Sequence, residues 1–68
     1  MFKMNPKRIG ERLSELRGDR EQKVVAEAVG VSVSALSMYE SGERVPRDDV
    51  KIALAHYYKT TVQSLFFS

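Results

Sequence analysis

The chain has no cysteine, a single histidine and two prolines among 68 residues, and each scarcity removes a class of protein. Without cysteine there is neither a disulfide framework nor a thiolate metal site, which fits a reducing, cytoplasmic setting. His56 has no second ligand at metal spacing and reads as a surface residue, so no metal or other cofactor is expected. No apolar run approaches the roughly 20 residues a membrane-spanning helix needs, and no membrane partner is expected. Met1 to Met4 is too short for a signal peptide, and no apolar core follows it. There is no glycine-rich phosphate loop and no nucleophile with a base close by in sequence. Glu11 and Glu15 share a helix face, but arginines are interleaved with them and they read as salt-bridged surface. The expectation is a protein that is not an enzyme and has no evident small-molecule ligand.

Excess charge is also scarce. Eleven Lys and Arg stand against nine Asp and Glu, a net +2. Nucleic-acid binding is compatible with that excess, but distribution carries more information than the sum. Lys3, Lys7, Arg8 and Arg12 bias the first dozen residues towards positive charge, with only Glu11 opposing. Arg44, Arg47 and Lys51 form a second group. Ordinary solvated charge is the alternative for both. Arg8, Glu11, Arg12 and Glu15 also stand at spacings that allow pairing along one helix face. A chain this short is one domain, residues 1–68, and buries only about 60% of its unfolded surface, so its core is thin.

No repeat, low-complexity tract or useful strand-like alternation occurs, and the pattern predicts five short helices. Asn5 is a good N-cap and Pro6 falls at the first helical position. Ile9, Leu13 and Leu16 then form an i, i+4, i+7 stripe, ended by Gly18 and Asp19. A second helix is expected over about 21–29, with Val25 and Val29 inward, and a third over about 33–41. Residues 41–47 are a polar connection with Gly42 and Pro46. The fourth helix spans about 48–58, with Asp48 and Asp49 at its positive end and Val50, Leu54 and Tyr57 on one face. Thr61 caps a short last helix through Leu65 and Phe66.

Residues 22–42 are the most informative stretch. Ala26 is small. Gly30 follows its helix where a left-handed conformation is cheap only without a side chain. Ser32 is placed to cap the next helix, on which Leu36 and Tyr39 recur at helical spacing. Two short helices joined by a sharp turn suit a helix-turn-helix, which presents its second helix to the DNA major groove.

With Leu16-Arg17, Gln22, Ala26, Gly30-Val31-Ser32, Leu36, Tyr39-Glu40, Gly42, Pro46 and Leu65 in order and at the right spacing, the chain resembles the phage-repressor and Cro-type helix-turn-helix regulators over residues 9–67. The resemblance implies an all-α, compact five-helix, lambda-repressor-like DNA-binding domain. It places Val33, Ser34, Ser37 and Met38 at base-facing positions of the third helix. None of the four is an Arg, Lys, Asn or Gln, the types that make bidentate base contacts. Two serines bond many base edges and discriminate weakly. Val33 and Met38 suit thymine methyls, or else a partner protein. For phosphate the resemblance implies Gln22, beside the amides of the second helix. Arg44, Arg47, Lys51 and, more weakly, Ser41 are further phosphate candidates, with solvated surface as their alternative. It also pairs Arg17 with Glu40, locking the third helix to the first. The chain departs from the pattern outside the motif. Glu21 stands where Ser or Thr usually caps the second helix, Arg20 where an apolar residue precedes that cap, and Lys59 where a helix-ending Gly or Asn is frequent.

The expected function is transcriptional regulation, as a repressor, by a homodimer bound to double-stranded operator DNA. Phe66 and Phe67 are adjacent, so the same thin core cannot take both, and with Phe2 and Met4 they supply a dimer surface; Phe2 folded back over either ring would instead complete a monomer's core. The alternative function is a protein-interaction module, such as an antitoxin or adaptor, favoured by the uncharged third helix.

Overall fold

Five helices make up the computed structural model, which describes residues 4–67: α1 (Pro6–Arg17), α2 (Gln22–Val29), α3 (Val33–Ser41), α4 (Asp48–Tyr57) and α5 (Val62–Phe66). No strand occurs among the described residues, and the architecture is the expected all-α one. Three of the helices start on side-chain caps. Asn5 Oδ1 accepts from the amides of Lys7 and Arg8 at 3.1 and 3.2 Å. Ser32 Oγ accepts from Ala35 N at 3.0 Å, and Thr61 Oγ1 from Ser64 N at 3.0 Å. Each satisfies donors that a helix start leaves without a partner. The expected boundaries hold to within a residue. Glu21 is the N-cap of α2 rather than its first residue, and Tyr58 caps α4 rather than ending it.

The core runs through the molecule as Ile9, Leu13, Val25, Ala26, Leu36, Tyr39, Val50, Leu54, Ala55, Leu65 and Phe66. α1 packs most extensively on α3 and also meets α5, while α4 bridges α2 and α5. Removing these apolar groups from water is the main favourable term, and only a thin set of side chains supplies it.

Four expectations are corrected by this packing. Leu16 is 38% exposed rather than inward. The buried face of α1 is turned towards α3 through Gly10 and Arg17, which leaves Leu16 at its edge. Phe66 is 1% exposed and lies in the core of the single chain, so it is not available to a partner; Phe67 alone remains partly exposed, packed against the core. The two rings do part company, as adjacency demands, but only one faces out. Lys51 is also buried, at 8% exposure. Its Nζ is 3.6 Å from Asp48 Oδ1 and lies 5.3 and 5.9 Å from the ring centroids of Phe67 and Phe66. Buried against aromatic faces, it is not the phosphate contact expected of it. Arg12, expected to pair along α1, reaches across to α5 and donates to the Leu65 carbonyl at 3.1 Å and the Ser64 carbonyl at 3.4 Å. The expected contribution of Phe2 lies outside the described residues.

Two glycines set how closely the chain crosses itself. Gly10 lies mid-helix in α1, directly on the end of α3. A Cβ there would collide with the Glu40 carbonyl oxygen and stand 2.8 Å from the Tyr39 carbonyl oxygen. Gly42 ends α3 at φ +84°, a conformation in which a side chain would be strained, and a Cβ would come 2.8 Å from the Lys7 Cα. Both obstacles are backbone, so neither can be relieved by a rotamer change. Gly10→Ala is therefore expected to destabilise by about 3 kcal/mol, at the upper end of overpacking, lowering the thermal midpoint by more than about 10 °C. A circular-dichroism melt of the alanine variant indistinguishable from wild type would contradict the close approach of α1 and α3.

Candidate nucleic-acid interface

α3 is buried on one side only. Leu36 and Tyr39 anchor it in the core, while Val33, Ser34, Ser37 and Met38 all face solvent. The four expected base-facing residues therefore share one exposed strip. Val33 and Met38 are 43% and 37% exposed. The hydroxyls of Ser34 and Ser37 have no hydrogen-bond partner among the described residues. α3 is short, running from the Ser32 cap to the left-handed Gly42, and its only acidic side chain is turned back towards α1.

That acidic side chain is Glu40, which holds α3 in place. Arg17 Nε donates to Glu40 Oε2 at 2.8 Å and Arg17 Nη2 donates to Oε1 at 3.0 Å. The two side chains are 21% and 7% exposed respectively. This is a bidentate, partly desolvated fork of the kind that fixes geometry as well as adding energy. The hydrogen bond to Glu40 raises the Arg17 pKa above its ordinary value, against the opposing effect of burial. Arg17 Nη1 continues to the Arg20 carbonyl at 2.7 Å, so one guanidinium ties α3 to the α1–α2 connection as well.

Gln22 joins the same carboxylate. Its Nε2 donates to Glu40 Oε1 at 3.0 Å, which orients the amide at the first position of α2. Glu21, the cap, makes no side-chain bond to that first turn. The first amides of α2 are thus not claimed by a capping side chain, and a helix start of this kind suits an anion. Of the other phosphate candidates, Arg44 is exposed, and Arg47 is exposed beside Asp49, with a 3.8 Å contact that solvent screens. Ser41 donates its proton to the Met38 carbonyl at 3.1 Å or to the Glu43 carboxylate at 2.9 Å; its hydroxyl must turn away from both to meet a phosphate.

The unusual α1–α2 connection has its own packing. The Arg20 guanidinium lies 5.7 Å from the Tyr57 ring centroid and 5.9 Å from that of Tyr58, with Nη1 donating to the Leu16 carbonyl at 3.0 Å. A cation over two edge-packed rings replaces the apolar residue usual at this position. The Tyr58 hydroxyl is buried without a hydrogen-bond partner among the described residues. Burial pushes its pKa up to about 12, with Glu40 and Tyr57 adding to the rise and Arg20 and Arg17 opposing it, so the phenol stays neutral at ordinary pH. Among the described residues no cluster of ligating side chains that could hold a metal ion occurs, and no helix is long and apolar enough to cross a membrane.

Sequence reasoning missed Gly10 and the Arg12 tie to α5. A glycine inside a helical pattern is the signal for the first, since it calls for a packing reason. For the second there was none, because a charged residue on a helix face looks solvated until the element it meets is known.

Comparison with known proteins places this geometry. A family model described as a helix-turn-helix domain matches residues 8–65. The structure is similar to that of the P22 c2 repressor in complex with synthetic operator 9T, with a TM-score of 0.81 and 29% identity over 84% of this chain and 89% of that one. The solution structure of the P22 c2 repressor DNA-binding domain is 30% identical, with a TM-score of 0.80, covering 91% and 84% of the two chains. The restriction-modification controller protein C.AhdI from Aeromonas hydrophila is 27% identical, with a TM-score of 0.79, covering 88% and 94%. No curated protein matches the chain.

A double-mutant cycle on Arg17→Met and Glu40→Gln, read by chemical denaturation, is expected to give a coupling energy of about 2 kcal/mol. That value lies between the roughly 1 kcal/mol of an exposed pair and the 3–5 kcal/mol lost when a fully buried pair is broken. Additive single-variant effects would show that the fork contributes nothing as a pair.

Proposed function

The chain belongs to the helix-turn-helix domain family, among the phage-repressor and Cro-type DNA-binding transcription regulators, and from that premise we propose that it is a repressor that inserts α3 into the major groove of its operator as a homodimer. Residues 1–68 act in this reading as a single DNA-binding domain. The observation that carries it is the exposed strip of α3, held away from the core by Leu36 and Tyr39 and fixed to α1 by Glu40. Val33, Ser34, Ser37 and Met38 meet base edges. Gln22, with the first amides of α2, takes one phosphate, and Arg44 and Arg47 grip the backbone beyond the end of α3, with Ser41 in a minor role. Phosphate contacts of this sort position the protein and carry little sequence information, whereas the strip on α3 reads the bases.

The second reading, an interaction module such as an antitoxin or adaptor, is favoured by the absence of charge on that strip. A fluorescence titration with duplex DNA at low and moderate salt separates the two. Salt-dependent association supports regulation, and its absence favours the module.

Gln22→Ala and Arg44→Ala are expected to weaken binding to specific and nonspecific DNA alike. The glutamine change should cost about tenfold, the worth of one hydrogen bond to a charged group. The arginine change should also lower the slope of log affinity against log salt by about 1, because one fewer counterion is released. An unchanged slope for Arg44→Ala would remove that residue from the phosphate contacts.

The dimer is assigned to Phe67, with Met4 as a partly buried neighbour of the same core. Two recognition helices about 34 Å apart would read successive major grooves of a near-palindromic site. Phe67→Asp is expected to yield a folded monomer that binds operator far more weakly, the new carboxylate having Lys51 beside it. Sedimentation and a thermal melt check both halves of the expectation. Wild type that sediments as a monomer, free and on DNA, would rule the dimer out, and an unfolded Phe67→Asp chain would place the ring in the monomer's own core.

A further inference from the structure

We propose that Arg20 is a positioning residue for DNA binding: clamped between the end of α1 and the end of α4, it holds the start of α2 where Gln22 meets the DNA backbone. The inference rests on the DNA-binding reading above and deepens it, because Arg20 acts through Gln22 and touches no phosphate itself.

The start of α2 lacks the ordinary means of being held. A capping side chain normally ties the incoming chain to the first turn, and an apolar residue before the cap packs that entry down. Here the cap, Glu21, makes no side-chain bond, and the residue before it is Arg20. Three groups of Arg20 are pinned instead. Its amide donates to the Arg17 carbonyl at 3.1 Å. Its carbonyl accepts from Arg17 Nη1 at 2.7 Å, and its own Nη1 donates to the Leu16 carbonyl at 3.0 Å. The guanidinium then lies 5.7 and 5.9 Å from the ring centroids of Tyr57 and Tyr58, the last residue and the C-cap of α4. Tyr58 stays a neutral phenol at ordinary pH, so the attraction is of a cation to a ring rather than of opposite charges.

Gln22 follows two residues later. Its side chain is indexed to α3, because Nε2 donates to Glu40 Oε1 at 3.0 Å. Its backbone is indexed to α1 and α4 through Arg20. A phosphate that meets both the carboxamide and the first amides of α2 needs the two held in one register. The connection between α1 and α2 starts at Gly18, with φ +58°, and without the clamp it gains conformations in which α2 begins elsewhere. Each of them lowers the fraction of molecules ready to bind, and apparent affinity falls with that fraction.

The test uses the full chain and duplex DNA in fluorescence titrations over a range of salt. Arg20→Met keeps an unbranched stem and removes the cation. It should weaken binding to specific and nonspecific duplexes alike by about fivefold, the worth of a cation over exposed rings. The slope of log affinity against log salt should not change. Arg20→Lys, which keeps a charge over the rings without the planar fork, should recover part of the loss. In a Gln22→Ala background, Arg20→Met should cost little more, because the two act as one unit. Arg20 is exposed, so the methionine variant is expected to melt as a folded protein. Tyr57→Leu removes one ring from the opposite side of the clamp and should give a loss of about twofold, again with the slope unchanged. A slope lowered by about 1 would make Arg20 a direct phosphate contact and overturn the positioning role. Unchanged affinity, or the full fivefold loss repeated in the Gln22→Ala background, would overturn it as well while leaving DNA binding intact. Wild type that shows no salt-dependent association with DNA overturns the proposed function and this inference with it.

Discussion

A single carboxylate sets the arrangement of three helices. Glu40 lies in the last turn of α3, where the helix dipole is negative and a second negative charge is unfavourable on its own. It is also mostly withdrawn from water, which costs several kcal/mol for an unpaired ion. Only a close, well-formed cation makes the position tenable. Arg17 supplies it from the last turn of α1, through a two-point fork that a lysine could not reproduce. The fork in turn requires the backbones of α1 and α3 to cross at near contact, which Gly10 permits and any side chain there would prevent. Gln22 fills the remaining capacity of Oε1 and so registers α2 against the same point. The three helices α1, α2 and α3 are indexed to one group, which suits a chain with a thin apolar core.

The fold was legible because its signals are local. Asn5-Pro6, Ser32 and Thr61 cap where short-range hydrogen-bonding rules put them, and helical periodicity found Leu13, Val25, Leu36 and Leu54. The exposed strip of α3 was legible for the same reason, since one face of a short helix is fixed once the other is buried. Side chains whose fate depends on a distant element were misread. Lys51 looked like a basic group near the end of the motif, yet it lies under the rings of α5 and its C-cap. Phe66 and Phe67 are indistinguishable in sequence, and only the packing of α5 on α1 and α4 decides which is core. Leu16 lies outside the face of α1 that Ile9, Gly10 and Leu13 bury.

Charge and neutrality divide the proposed interface. In it the phosphate grip is assigned to Arg44, Arg47 and the start of α2, and the exposed strip of α3 has no charge at all. With two cations per protomer at the backbone, counterion release contributes little, and the slope of log affinity against log salt stays shallow at about −0.9 per neutralised phosphate. Nonspecific binding of such a protomer is correspondingly weak. Weak background makes small discriminations count. Each neutral contact is slight beside a bidentate arginine–guanine pair, but the proposed dimer would make it twice. Specificity in the proposed complex then comes from several small, neutral terms read in fixed register rather than from one strong contact. That register is what Glu40 supplies. A helix free to shift against the scaffold by an ångström would average hydroxyl and methyl contacts over neighbouring base pairs, and a strip without charge has no single interaction strong enough to pull it back.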